Sequence, residues 1–172
     1  CHAKKGVVVA SGGFSANKEL RSLYDPRMRD LTTTNQPTIT GDLINPMIDI
    51  GAQTVGMDYI QCIPGTAPGY KSKGNLIQVI EYSIFVNKEG KRFVAEDSRR
   101  DVIRDAVLST PERYAYTVCD NENFMSYDEV NRNAIMKGIE INEAWTAPTI
   151  RELAQKMGVD PDGLEKTIRR YN

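Results

Sequence analysis

Two adjacent arginines, Arg99 and Arg100, lie where the sequence predicts that a helix begins. A run of apolar residues at helical spacing follows them, and Ser98 with Asp101 three residues later predicts a capping box. Free backbone N–H groups and the helix dipole make the potential positive in a first turn, so a cation there is unfavourable for stability. Two interpretations stay open: the arginines are solvated or paired with the nearby acids Glu96, Asp97 and Asp101, or Arg100 serves a functional site.

Composition and charge narrow the class of protein. The 172 residues are 40% hydrophobic and 26% charged, with a net charge of −1, as in an ordinary globular protein. This balance argues against a nucleic-acid partner, for which a basic face is expected, and no stretch approaches the ~18 apolar residues that span a bilayer. Cys1, Cys62 and Cys119 have neither metal-ligand spacing nor an even count, so no metal site is predicted. His2, the single histidine, lies at the terminus, so histidine-based catalysis is not expected.

An apolar run from Gly6 to Ser11 predicts a strand that is buried on both faces of a parallel sheet. Such a strand needs neighbouring strands, and too few residues precede it to form one. We therefore expect the chain to be a segment of a larger protein.

Further elements follow from periodicity and from turn residues. Helices are predicted over residues 17–24, 40–50, 100–108, 121–127, 128–138, 149–157 and 161–171. Strands are predicted over residues 53–55, 59–62, 76–80, 83–87 and 114–119. Pro46 predicts that the second helix begins late or is kinked. Residues 1–56 are thus α/β in character, and those from 57 onward are α+β.

Three motifs follow one another along the chain. Ser11-Gly12-Gly13 ends the first strand, Thr40-Gly41-Asp42 opens a helix, and Gly90-Lys91-Arg92-Phe93 precedes Arg99-Arg100-Asp101. Each motif alone could be only a turn or a cap. Together with the closing residues 164–172, they resemble the fumarate reductase/flavocytochrome c flavoproteins, relatives of the succinate dehydrogenase flavoprotein subunit. The resemblance covers essentially the whole chain.

This resemblance implies a fold and a cofactor, FAD. Residues 1–56 would be the C-terminal part of the first half of an FAD-binding domain, and residues 57–172 the mobile capping (clamp) domain that closes over the flavin. The expected fold class is α+β for the capping domain, plus an α/β segment. The implied cofactor-binding residues are Ser11, Gly12, Gly13 and Asp42. The family's pyrophosphate-binding Gly-x-Gly-x-x-Gly is absent, so the chain alone is expected to be inactive and not to bind FAD tightly without the remainder of that domain.

The resemblance also implies an activity, reduction of the C=C bond of an α,β-unsaturated carboxylate such as fumarate, urocanate or acrylate by hydride from flavin N5. Arg100 matches the family's proton donor, and a desolvated helix N-terminus makes a guanidinium a better acid. Its charge would also stabilise the developing carbanion. Glu81 matches the acid that feeds this arginine, but Ile84 stands where the relay's own arginine is expected. Proton supply must therefore differ, or Asp97 or Glu96 must serve.

Gln61 and Ile63 fall in the stretch with which the family reads its substrate. Ile63 stands where many relatives have a histidine, and it cannot donate to a carboxylate, so an acceptor bulkier or more apolar than fumarate is expected. The enzymatic alternatives are an FAD-dependent 3-ketosteroid dehydrogenase and an L-aspartate oxidase-like oxidase, and the non-enzymatic one is a stand-alone interaction module. The electron donor (an FMN domain, a haem domain or NADH) and the compartment (cytoplasmic or cell-envelope) stay open.

Overall fold

The computed structural model describes residues 2–65, 69–72, 76 and 82–172, and it divides into two compact units, Cys1–Ile60 and Gln61–Asn172. Both units contain helices, and the second also contains a small sheet. None of the helices in these described ranges combines the length and hydrophobicity needed to cross a bilayer. The division into an FAD-binding part over residues 1–56 and a capping part over residues 57–172 stays a prediction.

Two short helices organise the first unit, α1 (Lys18–Tyr24) and α2 (Ile44–Asp49), with a 3₁₀ turn over Pro26–Met28. Asn17 caps α1 by accepting a hydrogen bond from the backbone N–H of Leu20 at 2.9 Å. The predicted first helix is confirmed, as is the late start of the second. Pro46 lies in the first turn of α2, where the missing N–H of proline costs no helical hydrogen bond.

None of the strands predicted over residues 6–11, 53–55 and 59–62 forms among the described residues. Residues 6–11 are extended but form no ladder with any described residue, and Val7 and Val8 are 78% and 91% exposed. Residues 53–55 and 59–62 likewise form no strand. Apolar composition predicts burial in a sheet only where a neighbouring strand can satisfy the backbone N–H and C=O groups, and the described residues supply none here.

The second unit is built around an antiparallel pair, β1 (Ser83–Val86) and β2 (Tyr116–Cys119). Ser83 pairs with Cys119 and Val86 with Tyr116, and every residue of β1 is buried. These two strands confirm the predictions over 83–87 and 114–119, with shorter bounds. The strand predicted over 76–80 lies outside the described residues, apart from Leu76.

Five helices lie in the described part of the second unit. They are α3 (Arg100–Leu108), α4 (Asn121–Ser126), α5 (Glu129–Glu140), α6 (Ile150–Met157) and α7 (Pro161–Tyr171). All five were predicted, and Gly158 ends α6 in the left-handed conformation with φ of 69°. The core combines side chains of the sheet, α6 and α7, namely Ile84, Val86, Val118, Ala154, Met157, Val159 and Leu164.

Candidate functional site

The two glycine-containing motifs of the first unit lie next to each other. The backbone N–H of Ala16 donates to the carbonyl of Ile39 at 2.9 Å, and the side-chain amide of Asn17 donates to the carbonyl of Thr40 at 3.0 Å. A Cβ at Gly12 would lie 3.5 Å from the Cδ1 atom of Ile39. The structure therefore places the segment from Gly12 to Asn17 against Ile39 and Thr40, although the two segments are more than twenty residues apart in sequence.

Gly41 is needed for this arrangement. Its φ is 73°, and a Cβ there would approach Phe14 Cβ to 2.8 Å and Ile44 Cδ1 to 2.9 Å. Only glycine adopts this conformation without strain, and only glycine leaves room for both neighbours. The following residue, Asp42, is thereby held at the surface, where its carboxylate accepts a hydrogen bond from Thr40 Oγ1 at 2.6 Å.

The groups at this surface fit the polar parts of FAD. Gly12 and Gly13 are exposed, and no described residue accepts a hydrogen bond from their backbone N–H groups. Bare backbone N–H groups bind phosphate and carbonyl oxygens, and a carboxylate such as that of Asp42 accepts from ribityl or ribose hydroxyls. Ser11, which precedes the glycines, is exposed as well.

Arg100 is the first residue of α3, in the first turn as predicted, and its side chain is exposed. The predicted capping box is wrong, because the N-cap residue is Arg99 and the Asp101 carboxylate binds the Arg99 guanidinium at 2.6 Å and 3.1 Å instead. That hydrogen bond holds the pKa of Asp101 below its usual value. Of the acids expected as possible partners of Arg99, Asp101 forms the pair and Glu96 does not.

Of the two arginines, Arg100 is thus the one whose guanidinium makes no ion pair with any described residue. The described residues do not bury the Arg100 side chain, which is exposed. The two arginines nevertheless differ in their pairing. Asp101 neutralises Arg99, whereas the charge of Arg100 stays available to an anionic ligand.

The sequence suggested Glu96 only as a partner of Arg99 or as a proton relay, and the structure shows other contacts. Its carboxylate is buried and accepts hydrogen bonds from the Arg92 guanidinium and from the backbone N–H of Phe85 in β1. The hydrogen bond from the Arg92 guanidinium to Glu96 raises the pKa of Arg92. The one sequence signal for this pair was an acid four residues after an arginine, outside any predicted helix.

The remaining predicted site residues are Gln61, Ile63 and Glu81, of which the structure describes the first two. Gln61 and Ile63 are exposed at the start of the second unit, Ile63 at 56%. Glu81, the predicted relay acid, lies outside the described residues. The roles of these three residues therefore stay predictions.

Known proteins resemble this chain over nearly its whole length. It is 38% identical to an NADH:acrylate oxidoreductase of Vibrio harveyi, over 99% of this chain and 17% of that protein. The open conformation of a flavocytochrome c3 fumarate reductase is 30% identical, with a TM-score of 0.71, over 98% of this chain and 29% of that one. A 3-ketosteroid delta1-dehydrogenase from Sterolibacterium denitrificans is 26% identical, with a TM-score of 0.68, over 96% and 32% of the two chains.

The chain spans about a third or less of the length of these relatives. All three of these proteins are named as oxidoreductases, reductases or dehydrogenases. The match to a family is to the FAD binding domain, over residues 1–172, so it does not distinguish a capping part within the chain. This match over the full length shows that the chain belongs to the FAD binding domain family of flavoproteins.

Proposed function

We propose that the chain is part of a larger FAD-dependent oxidoreductase that reduces the C=C bond of an α,β-unsaturated carboxylate. The observation that carries this proposal is the exposed guanidinium of Arg100 at the start of α3, which no described residue pairs, beside an Arg99 that Asp101 neutralises. An available cation next to a helix N-terminus suits the carboxylate and the developing negative charge of such a substrate. The likeness to an NADH:acrylate oxidoreductase and to a fumarate reductase supports this chemistry.

In this proposal the first unit binds the cofactor. The backbone N–H groups of Gly12 and Gly13 donate to its oxygens, Asp42 accepts from its hydroxyls, and Ser11 adds a hydroxyl donor. FAD, when bound, supplies the hydride chemistry of the reaction. Its other contacts come from the remainder of the FAD-binding domain, which is why the chain alone is expected to hold it weakly.

Arg100 holds and moves the proton. As one alkene carbon accepts a hydride, negative charge builds on its neighbour, and the guanidinium first stabilises that charge and then transfers a proton to the carbon. The neutral guanidine regains a proton from the acid Glu81 or from solvent. Glu96 is a poor relay by comparison, because both of its oxygens already accept hydrogen bonds from Arg92.

In this proposal residues 57–172 act as the capping domain, and residues 1–56 belong to the FAD-binding domain. Two compact units that meet at Ile60–Gln61 support such a division. Gln61 and Ile63 contact the acceptor, and the exposed apolar side chain of Ile63 favours an acid that is bulkier or more apolar than fumarate.

A second candidate is dehydrogenation of a 3-ketosteroid. Two observations favour it: the structural likeness to a 3-ketosteroid dehydrogenase and the apolar surface that Ile63 offers to a large apolar substrate. The two functions differ in the direction of electron flow, since the steroid would be oxidised whereas the acrylate is reduced.

The test uses the full-length flavoprotein that contains this chain. Reduced methyl viologen is offered with acrylate, fumarate, urocanate and cinnamate, and a 3-ketosteroid is offered with an artificial electron acceptor. We expect viologen oxidation with the acrylates, and a higher kcat/KM for the aryl-substituted acids than for fumarate. Failure to reduce any acrylate contradicts the proposal, and steroid oxidation under the same conditions establishes the second candidate.

A further inference from the structure

One acid of the second unit, considered above only as a possible proton relay or partner of Arg99, is buried. Glu96 is 6% exposed. Its Oε1 atom accepts from the backbone N–H of Phe85 at 2.8 Å, and its Oε2 atom accepts from Nη2 of Arg92 at 2.5 Å. A carboxylate is buried at a large desolvation cost unless it is paired and hydrogen-bonded, so these bonds require the segment around Glu96 to hold one position.

The partners of Glu96 are themselves fixed. Phe85 lies in the buried strand β1, and Arg92 is tied to the same strand by a bridge with Val86. The Arg92 guanidinium also lies over the ring of Tyr171 in α7, 5.4 Å from its centroid. Glu96 is therefore anchored to the sheet directly, and to α7 through Arg92.

The chain between this anchor and Arg100 is short. Only residues 97–99 separate them, and the backbone N–H of Ser98 closes a turn on the carbonyl of Ala95 at 3.1 Å. On the far side of Arg100, the buried side chain of Ile103 fixes the first turns of α3. The exposed start of α3 is thus held between two buried side chains.

We propose that Glu96 is a positioning residue that fixes the start of α3 and thereby the place of the Arg100 guanidinium. Its effect on catalysis rests on the proposed function, whereas its effect on the start of α3 does not. The carboxylate acts through Arg92 and Phe85 and does not contact the substrate.

The test compares Glu96→Gln with a matched control, Glu89→Gln, in the full-length holoenzyme. The amide introduced by Glu96→Gln keeps the size of the side chain but places N–H donors against those of Arg92, so the pair is lost. The Arg92 side chain is 40% exposed and stays solvated, so the variant should fold. Glu89 pairs with Lys91 in the neighbouring turn and its side chain is 65% exposed, so its replacement removes the same charge without a buried contact.

Hydrogen exchange and kcat are both expected to change in Glu96→Gln and to stay unchanged in the control. Amide hydrogen exchange should be about tenfold faster in peptides covering residues 97–108 and unchanged in α6. The kcat for acrylate should fall by about 100-fold, with KM within about twofold, because a misplaced donor slows proton transfer more than it weakens binding. Glu89→Gln should leave exchange at residues 97–108 and both kinetic constants as in the wild type.

The outcomes separate the two proposals. Unchanged exchange at residues 97–108 in Glu96→Gln overturns the positioning role, whatever the activity. Faster exchange throughout the second unit, α6 included, also overturns it, since it shows a general loss of stability. If the wild type reduces no acrylate, the proposed function fails on its own, and hydrogen exchange still decides whether Glu96 fixes the start of α3.

Discussion

Gly163 of α7 packs directly against the turn that contains Gly90. A Cβ on Gly163 would overlap the carbonyl oxygen of Glu89, and one on Gly90 would overlap the backbone N atom of Leu164. The hydroxyl of Thr167 donates to the carbonyl of Gly90 at 2.6 Å and stabilises the same contact. Two backbones approach here as closely as glycine alone permits, and the contact fixes the turn that leads to Arg92.

Gly163→Ala tests this packing. The methyl group cannot be accommodated because the opposing atoms are backbone, so we expect a loss of about 1–3 kcal/mol of unfolding free energy. This loss should appear even though alanine favours a helix over glycine by about 1 kcal/mol. Denaturant unfolding of the purified protein measures it. Gly65→Ala is the control, since its Cβ would meet nothing closer than 3.9 Å, and equal stability of the two variants would contradict the contact.

Asp42→Ala tests the cofactor surface. If the carboxylate accepts from flavin hydroxyls, its removal should weaken FAD binding by about 10- to 100-fold, the usual effect of losing a charge-assisted hydrogen bond. Fluorescence titration of the full-length apoprotein with FAD gives the dissociation constant. Asp49→Ala, which removes an exposed acid at the end of α2, serves as the control. The assignment fails if both variants bind FAD as the wild type does.

Arg100→Lys tests the proton donor. Lysine keeps the charge but loses the planar guanidinium and its reach, so turnover should fall by about 100-fold or more. Arg99→Lys should change turnover little, because Arg99 is occupied by Asp101. Flavin content should stay normal in both variants. If Arg100→Lys turned over as the wild type does while Arg99→Lys was inactive, Arg99 would be the proton donor instead.

Cys119 should react slowly with alkylating agents. Burial raises its pKa from 9.0 to about 11, so at pH 8 its thiolate fraction is about 100-fold below that of an unperturbed thiol. Because the folded pKa is the higher one, this group stabilises the fold below pH 9, and the contribution is lost as the pH rises towards 11. Mass spectrometry after iodoacetamide treatment at pH 8, with and without urea, measures the protection. Equal labelling in the two samples would contradict the shift.

Local signals in the sequence predicted the helices of both units. Asn17 and Thr149 cap helices as their residue types suggest, and Gly158 ends α6 where the apolar period stops. These features depend on neighbours a few residues away, so one sequence contains them. The place of Arg100 in the first turn of α3 was predictable for the same reason.

Features that depend on distant partners could not be predicted in this way. Val7 and Val8 suggested a buried strand, but burial depends on neighbours that no local pattern reveals. The carboxylate of Asp101 was expected to cap a helix and instead binds Arg99, a choice between two nearby donors that spacing does not decide. The bond from Phe85 to Glu96 joins two segments, and only the folded chain shows it.

Gly12 and Asp42 belong to the first compact unit, whereas Arg100 belongs to the second. Under the proposed function, substitutions in the first unit should therefore affect flavin retention. Substitutions in the second unit should affect turnover and the choice of acceptor. A mutant library confined to residues 61–172 is then a practical route to new acceptors. Its members can be compared at constant flavin content, so that differences in rate report on proton delivery and substrate fit alone.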